Sequence, residues 1–298
     1  MKKNQVLVLG GSGFLGSHVA DALSAARHEV RIFDNRPSPY LRSEQEMIVG
    51  DLMNSDQVAA AAKGCRYVYN FAGLADIDDA RRRPLDTANL NVIGNMHALQ
   101  AAHEAGAERF LFASSVYVYS HVGSFYGASK QAAERFVESF QISCGLDYTI
   151  LRYGSLYGPR SDSRNGLYRI VRGALERGTI RYEGSPEAIR EYIHVEDAAR
   201  ASVKALDEGF RNRHVVLTGQ EGMRVVDLLK MLAEILGRPD AVEFVETSHD
   251  GHYVRTPYAY RPNVGQKYVP SLHVDLGQGL IQLIEDVQRE LEKTGDKA

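Results

Sequence analysis

The segment Gln5–Leu9 followed by Gly10-Gly11-Ser12-Gly13-Phe14-Leu15-Gly16 constrains the fold more than any other stretch of this chain. QVLVL is short, apolar and β-branched. From Phe14 to Arg27 the residues Leu15, Val19, Ala22 and Leu23 recur at helical spacing, so the glycines lie where a strand turns into a helix. Gly10 permits the tight turn, Gly13 lets the backbone approach a pyrophosphate, and Gly16 allows close packing of helix on strand. The helix N-terminus, with Phe14 and Leu15, offers free N–H groups and a partial positive charge to phosphate oxygens. A plain glycine-rich turn shares this pattern, and the residues beyond it discriminate.

Asp34 ends the second predicted strand, Glu29–Phe33, 18 residues beyond Gly16. A carboxylate there accepts from both hydroxyls of an adenosine ribose and repels a 2′-phosphate, which favours NAD over NADP, while the nearby Arg36 pulls the other way. Asn35 joins Asp34 in the candidate cofactor set. Asp51 and Leu52 follow the third strand, Met47–Val49, where Asp51 either receives the adenine amino group or caps a helix.

Further strands are predicted at Tyr67–Phe71 and Arg109–Ala113, with helices at Asp56–Ala62 and Asn89–Ala105. Strands alternating with helices predict an α/β fold, a doubly wound parallel sheet of the Rossmann kind covered on both faces. After Tyr153 the rhythm breaks into helices at Gly166–Arg177, Glu196–Asp207, Val225–Leu236 and Leu276–Leu291. Short strands are expected at Gly178–Glu183, Arg190–Val195 and Val215–Leu217, and a loop at Gly251–Gly265. The expected organisation is a nucleotide-binding domain over 1–153 and a smaller mixed substrate-binding region over 154–298, with 190–217 returning to the first domain.

Composition excludes several classes. Lys plus Arg is 35 and Asp plus Glu 38, a formal charge of −3 without a basic run, which argues against a nucleic-acid or anionic-membrane binder. No stretch approaches the ~20 apolar residues of a membrane span, and the N-terminus does not resemble a secretory leader. Cys65 and Cys144 are isolated and are expected to be buried thiols in a reducing compartment, so a soluble cytoplasmic protein is expected. The ten histidines show no metal-binding spacing, and no metal is expected.

Tyr126-Gly127-Ala128-Ser129-Lys130 opens a predicted helix running to about Phe140, so Tyr126 and Lys130 share one helix face. An ammonium beside a phenol stabilises phenolate and lowers a value that is normally about 10 toward that of a working general base. Upstream, Ser114 and Ser115 end the fifth strand, where a hydroxyl can bond a reacting oxygen or merely satisfy backbone groups.

Taken together, the stretches GGSGFLGSH, GDL, NFAG, FASSVYVYS, YGASK, LRYGSLYGPR and REYIHVEDAAR give the chain a resemblance to the extended short-chain dehydrogenases/reductases of the NAD-dependent epimerase/dehydratase family. The best-known members of that family act on nucleotide-diphosphate sugars. The resemblance implies a Rossmann domain with a smaller substrate domain, and a catalytic Ser three residues before the Val118-Tyr119 pair. That position is Ser115, with Tyr126 as base and Lys130 as its partner. Phe71, Ala72 and Gly73 would line the nicotinamide side. Arg190 and Arg261 match arginines that contact the diphosphate, and Asn165 is a further candidate contact. Ser155 stands where the family places an Asn. A homodimer through a four-helix bundle, built from helices near 89–105 and 126–143, is also implied.

The departures bear on the reaction. Dehydratases of the family carry Asp-Glu directly after the catalytic hydroxyl and decarboxylases a Glu two residues after it, where this chain has Val116 and Tyr117. Epimerisation through a keto intermediate is therefore the expected activity. A net NAD-dependent dehydrogenase or reductase is the alternative, and a catalytically silent NAD-binding regulator a lesser one. Ser115 and Tyr126 are only eleven positions apart, fewer than is usual in the family, which implies a more open site or an unusual substrate. Several other residues take plain readings: Asp197 as a cap or ion-pair partner beside His194 and Glu196, and Arg81-Arg82-Arg83-Pro84 as a solvated loop.

Overall fold

The computed structural model describes residues 4–120, 123–238, 241–245 and 266–295. The first half runs β1 (Gln5–Leu9), α1 (Phe14–Ala25), β2 (Glu29–Asp34), β3 (Glu46–Val49), α2 (Ser55–Ala62), β4 (Tyr67–Asn70), α3 (Ile77–Arg82), α4 (Pro84–Ala88) and α5 (Gly94–Glu104). It continues through β5 (Arg109–Ser115), α6 (Ser124–Cys144) and β6 (Tyr148–Tyr153). A π-helical turn at Asn89–Ile93 leads into α5, and a 3₁₀ turn at Val116–Tyr119 follows β5. The second half comprises β7 (Ser155–Tyr157), α7 (Gly166–Arg177), β8 (Ile180–Glu183), β9 (Ile189–Arg190), β10 (Tyr192–His194), α8 (Val195–Lys204) and β11 (Arg213–Leu217). It ends with β12 (Met223–Arg224), α9 (Val225–Ile235), β13 (Val242–Val245), β14 (Gln266–Lys267) and α10 (Leu276–Gly295).

Eight strands form one parallel sheet in the order β3-β2-β1-β4-β5-β6-β11-β14, a Rossmann arrangement whose strand order reverses between β1 and β4. Alternation along β1 divides its side chains between the two faces. Leu7 and Leu9 pack with Val58, Leu99 and Val137 of α2, α5 and α6. Val6 and Val8 pack with Val19, Leu23, Ala198 and Ala201 of α1 and α8. A third core, from α7, α9 and α10, gathers Leu167, Val171, Leu228, Leu229, Leu232, Leu283 and Val287. At the far end of the sheet the buried Arg109 guanidinium donates to the carbonyls of Ala205, Leu206 and Asp207 at 3.2, 3.1 and 3.0 Å, holding the end of α8 against β5.

Three expectations change. The stretch 81–84, expected as a solvated loop, instead joins two helices at Arg83: Asp76 caps α3 by accepting from the Asp79 amide, Pro84 starts α4, and Arg82 and Arg83 pair with Asp79 and Asp86. Cys144 is exposed, because it is the last residue of α6 before the left-handed Gly145 that ends the helix, whereas Cys65 is buried. The helix expected over Asn89–Ala105 begins with the π turn. The expected loop Gly251–Gly265 lies outside the described residues. Among those residues, no helix is long and apolar enough to cross a membrane.

Candidate active site

The carboxyl ends of β1, β2, β4 and β5 converge at the reversal of strand order. Gly10 adopts φ +77°, and a Cβ there would stand 2.6 Å from the Ala72 amide nitrogen, so the glycine loop and the loop after β4 touch backbone to backbone. At Gly16 an added Cβ would lie 2.2 Å from the Gly10 carbonyl, which only glycine allows. Gly13, by contrast, has only the Gly10 oxygen near its Cβ position, at 3.3 Å. Gly13 is the N-cap of α1 with no side chain bonding the free amides, and no acidic residue stands in the first turn. These uncapped donors, including those of Phe14 and Leu15, are what a pyrophosphate would use. A cleft of about 370 Å³ opens beside them, lined by Ser12, Phe14, Arg36, Tyr40, Arg160 and Arg164.

Asp34 is half-buried and accepts from the Ser12 amide through Oδ2 at 3.0 Å, which fixes the carboxylate against the glycine loop. Asn35 beside it is exposed. Asp51 accepts from the Met53 amide at 2.9 Å in a local turn; the cap of α2 is Asn54, three residues on, and Leu52 is buried. The loop Phe71-Ala72-Gly73 is braced by asparagines that sequence reasoning missed. Asn70 Oδ1 accepts from the Ala72 amide at 3.1 Å, and its amide donates to Asn95 at 2.8 Å. Asn91 accepts from the Leu74 amide at 2.7 Å and donates to the Leu74 carbonyl and to Ser129 Oγ, both at 2.9 Å. Ser129 in turn donates to the Tyr126 carbonyl at 2.8 Å. The signal available for Asn91 was a polar residue amid the apolar pattern of a predicted helix.

These bonds run from the loop after β4, against which the glycine loop packs, to the start of α6, where Tyr126 and Lys130 lie. The buried Tyr126 phenol hydrogen-bonds Ser115, and burial outweighs that bond to push it up to about 12. Ser115 Oγ also accepts from the Tyr117 amide at 3.3 Å. Lys130 Nζ donates to the Ala113 carbonyl at 2.8 Å and stands 4.9 Å over the Phe112 ring and 5.9 Å from the centre of the Tyr126 ring. Burial pushes its ammonium down to about 8, against the pull of Glu134. The Tyr117 ring packs edge-on to Tyr126 at 6.2 Å.

Ser114 faces the other way, donating to Glu134 at 2.5 Å. Glu134 also takes two bonds from the buried Arg152, at 2.9 and 2.6 Å. Among the nucleotide-end candidates, Ser155 is half-buried on β7, with its amide donating to the Glu191 carbonyl at 3.3 Å. Arg190 is buried on β9 and donates to the Ile189 carbonyl at 3.1 Å. Asn165 is the N-cap of α7, accepting from the Tyr168 amide at 3.1 Å and donating to the Leu156 carbonyl at 2.8 Å. Arg261 lies outside the described residues. Asp197 pairs with Arg200 and accepts from the Val274 amide at 2.8 Å.

A parallel sheet with this loop and this Ser–Tyr–Lys cluster defines a dinucleotide-dependent short-chain oxidoreductase fold. The family model described as NAD dependent epimerase/dehydratase family matches residues 6–218, and the chain belongs to that family. It is 27% identical over 283 residues to a UDP-glucose 4-epimerase of Rhizobium meliloti, covering 83% of this chain and 86% of that one. It is 25% identical to UDP-glucuronic acid decarboxylase 1 of Xenopus tropicalis, over 97% of this chain and 73% of the relative. Among solved structures, the UDP-glucose 4-epimerase of Thermotoga maritima, bound to UDP-glucose, superposes with a TM-score of 0.84 at 26% identity, covering 96% and 99% of the two chains. The enzyme family to which the chain belongs is NAD-dependent.

Proposed function

We propose that the protein is an NAD-dependent epimerase acting on a nucleotide-diphosphate sugar through a keto intermediate. The observation that carries this reading is the Ser115–Tyr126–Lys130 cluster at the end of β5, tied by bonded residues to the glycine loop, with Val116 and Tyr117 where dehydratases and decarboxylases have acids. The epimerases among the relatives and solved structures support the same choice.

The loop glycines, the bare amides of α1 and the Asp34 carboxylate fit NAD, with Asn35, Asp51 and Leu52 at the adenosine end and Phe71–Gly73 at the other. Bound there, NAD would supply a hydride acceptor and donor for the sugar carbon and a further positive charge. Tyr126, as phenolate, takes the proton from the sugar hydroxyl and gives it back after the ring has turned. Ser115 bonds the developing carbonyl oxygen, and the Lys130 ammonium, within reach of the Tyr126 ring, stabilises the phenolate. The free protein holds the phenol protonated at neutral pH, since burial raises it to about 12, so base strength arises only when further positive charge joins Lys130. Arg190, with Ser155, Asn165 and Arg261, is assigned to the nucleotide end.

The two-part division at about 153, the cytoplasm as the compartment, and a homodimer belong to this reading. Exposed Ile93, Phe125 and Phe136 on the helices near 89–104 and 124–144 support pairing of those helices with a second copy. The test is purification with analysis for retained NAD, followed by a screen of UDP-, GDP-, dTDP- and CMP-sugars. Retained NAD with conversion of one sugar to its epimer supports the proposal. Stoichiometric NADH formation points to the dehydrogenase, and the absence of any turnover or binding rejects both.

A further inference from the structure

Behind the cluster lies a buried polar group that the mechanism does not use. Glu134 follows Lys130 by one helical turn on α6 and is 5% exposed. Its carboxylate receives Ser114 Oγ from β5 at 2.5 Å and Arg152 Nε and Nη2 from β6 at 2.9 and 2.6 Å. Arg152, 1% exposed, donates its remaining arm to the Tyr119 hydroxyl at 2.8 Å, at the end of the 3₁₀ turn that follows Ser115. His214 of β11 stands 4.0 Å from Glu134 and 3.2 Å from Glu138. The carboxylate thus grips both flanks of Ser115, Ser114 directly and Tyr119 through Arg152, while it faces Lys130 along its own helix.

We propose that Glu134, although distant from substrate and cofactor, is a positioning residue for the reaction: it fixes the strand end that presents Ser115 and sets a negative charge one helical turn from Lys130. The inference rests on the reading of Ser115, Tyr126 and Lys130 given above. A buried ion pair contributes little net stability, so stability alone does not account for an Arg–Glu pair at this place. The charge has a use here. Lys130 loses water to burial, and among the groups around it (the Tyr126 phenol and Glu134 on α6, Ser115, the Ala113 carbonyl and the Phe112 ring on β5) Glu134 is the anion that favours the ammonium. His214 is held neutral by burial and by Arg152, so it does not change charge on the alkaline side.

Replacing Glu134 by Gln keeps the shape and an acceptor for Ser114 but removes the charge. The pH titration of Lys130, followed by NMR of the lysine side chains and assigned with Lys130→Met, should move its midpoint down by about one pH unit. With UDP-glucose, or whichever nucleotide sugar from the screen is turned over, the alkaline limb of kcat should move the same way. Turnover above the new midpoint should fall about tenfold, with KM unchanged. Glu134→Asp should restore the limb toward wild type. Where Glu134→Gln fails to fold because Arg152 is left unpaired, the paired Glu134→Gln/Arg152→Met removes both charges and should give the same displacement. A folded variant whose Lys130 midpoint and alkaline limb stay at wild-type values overturns the proposal, as does loss of folding in both variants. If Tyr126→Phe retains wild-type turnover, the catalytic reading itself fails. If that variant is inactive while Glu134→Gln leaves the limb in place, only the present inference fails.

Discussion

Acidification should weaken the fold through buried imidazoles held neutral, His194 and His18 most strongly. His194, at the start of α8, is 1% exposed, packs edge-on to Tyr157 at 5.3 Å, and has no hydrogen-bond partner for either ring nitrogen among the described residues. Burial, opposed by Asp197 and assisted by Arg200, pushes it down to about 4 from 6.5. His18 on α1, bonded to the Pro159 carbonyl at 3.0 Å, is likewise pushed down to about 4, by burial and by Arg160. The unfolded chain takes up a proton at each ring as pH falls below 6.5, whereas the folded chain does so only near 4. Stability is therefore complete above 6.5 and declines steadily toward the lower value. The gap corresponds to up to about 3 kcal/mol for each ring, a large part of the roughly 5–15 kcal/mol that holds a domain together. Urea unfolding followed across this window should show a midpoint that drops with pH. In His194→Leu, which removes the titrating ring and suits an apolar site, the drop should be less steep. A His194→Leu profile parallel to wild type would refute the reasoning.

Four further outcomes follow from the geometry. Tyr126→Phe should lower turnover by about 10²–10⁴-fold with KM little changed, read in the epimerisation assay. Gly16→Ala should abolish retention of NAD in the purified protein, because the new Cβ would meet the Gly10 carbonyl at 2.2 Å and force the loop apart. Asp34→Ala should cut the preference for NAD over NADP about tenfold or more, measured by isothermal titration with each nucleotide, since the 2′-phosphate then meets Arg36 without the carboxylate. Phe136→Glu, on the exposed face of α6, should convert a dimer to monomer in light scattering while leaving the thermal midpoint of the monomer intact.

Much of this was legible before the coordinates. The glycine spacing marked a strand-to-helix turn, Asp34 marked the end of the second strand, and, α3 and α4 apart, the strands and helices up to β5 fall close to their observed positions. The strand β6 was not read, because Thr149 and Arg152 interrupt its apolar run; both are buried, and Arg152 is held there by Glu134 and Tyr119, partners 18 and 33 residues away that periodicity does not reveal. Asn70, Asn91 and Asn95 were missed for a related reason. Asparagines in strand and helix interiors look unfavourable by propensity, and only the loop they brace explains them. The strand expected at Arg190–Val195 is observed as β9 and β10, interrupted at Glu191, whereas the two-residue β12 rests on its partner β9 rather than on any pattern of its own.

The sheet's outer margin is built from the end of the chain. Residues 213–217 and 266–267 extend the sheet beyond β6, and the end of α8 is clasped by Arg109 at the start of the neighbouring β5. A fragment stopped after residue 153 would leave β6 as a bare edge with its amides and carbonyls open to any passing strand, and would strip one face of the sheet of α8, leaving α1 to cover it alone. On the ribosome the nucleotide fold must therefore wait for its last third, and limited proteolysis in the middle of the molecule should leave two nicked pieces that stay together until denaturant is added.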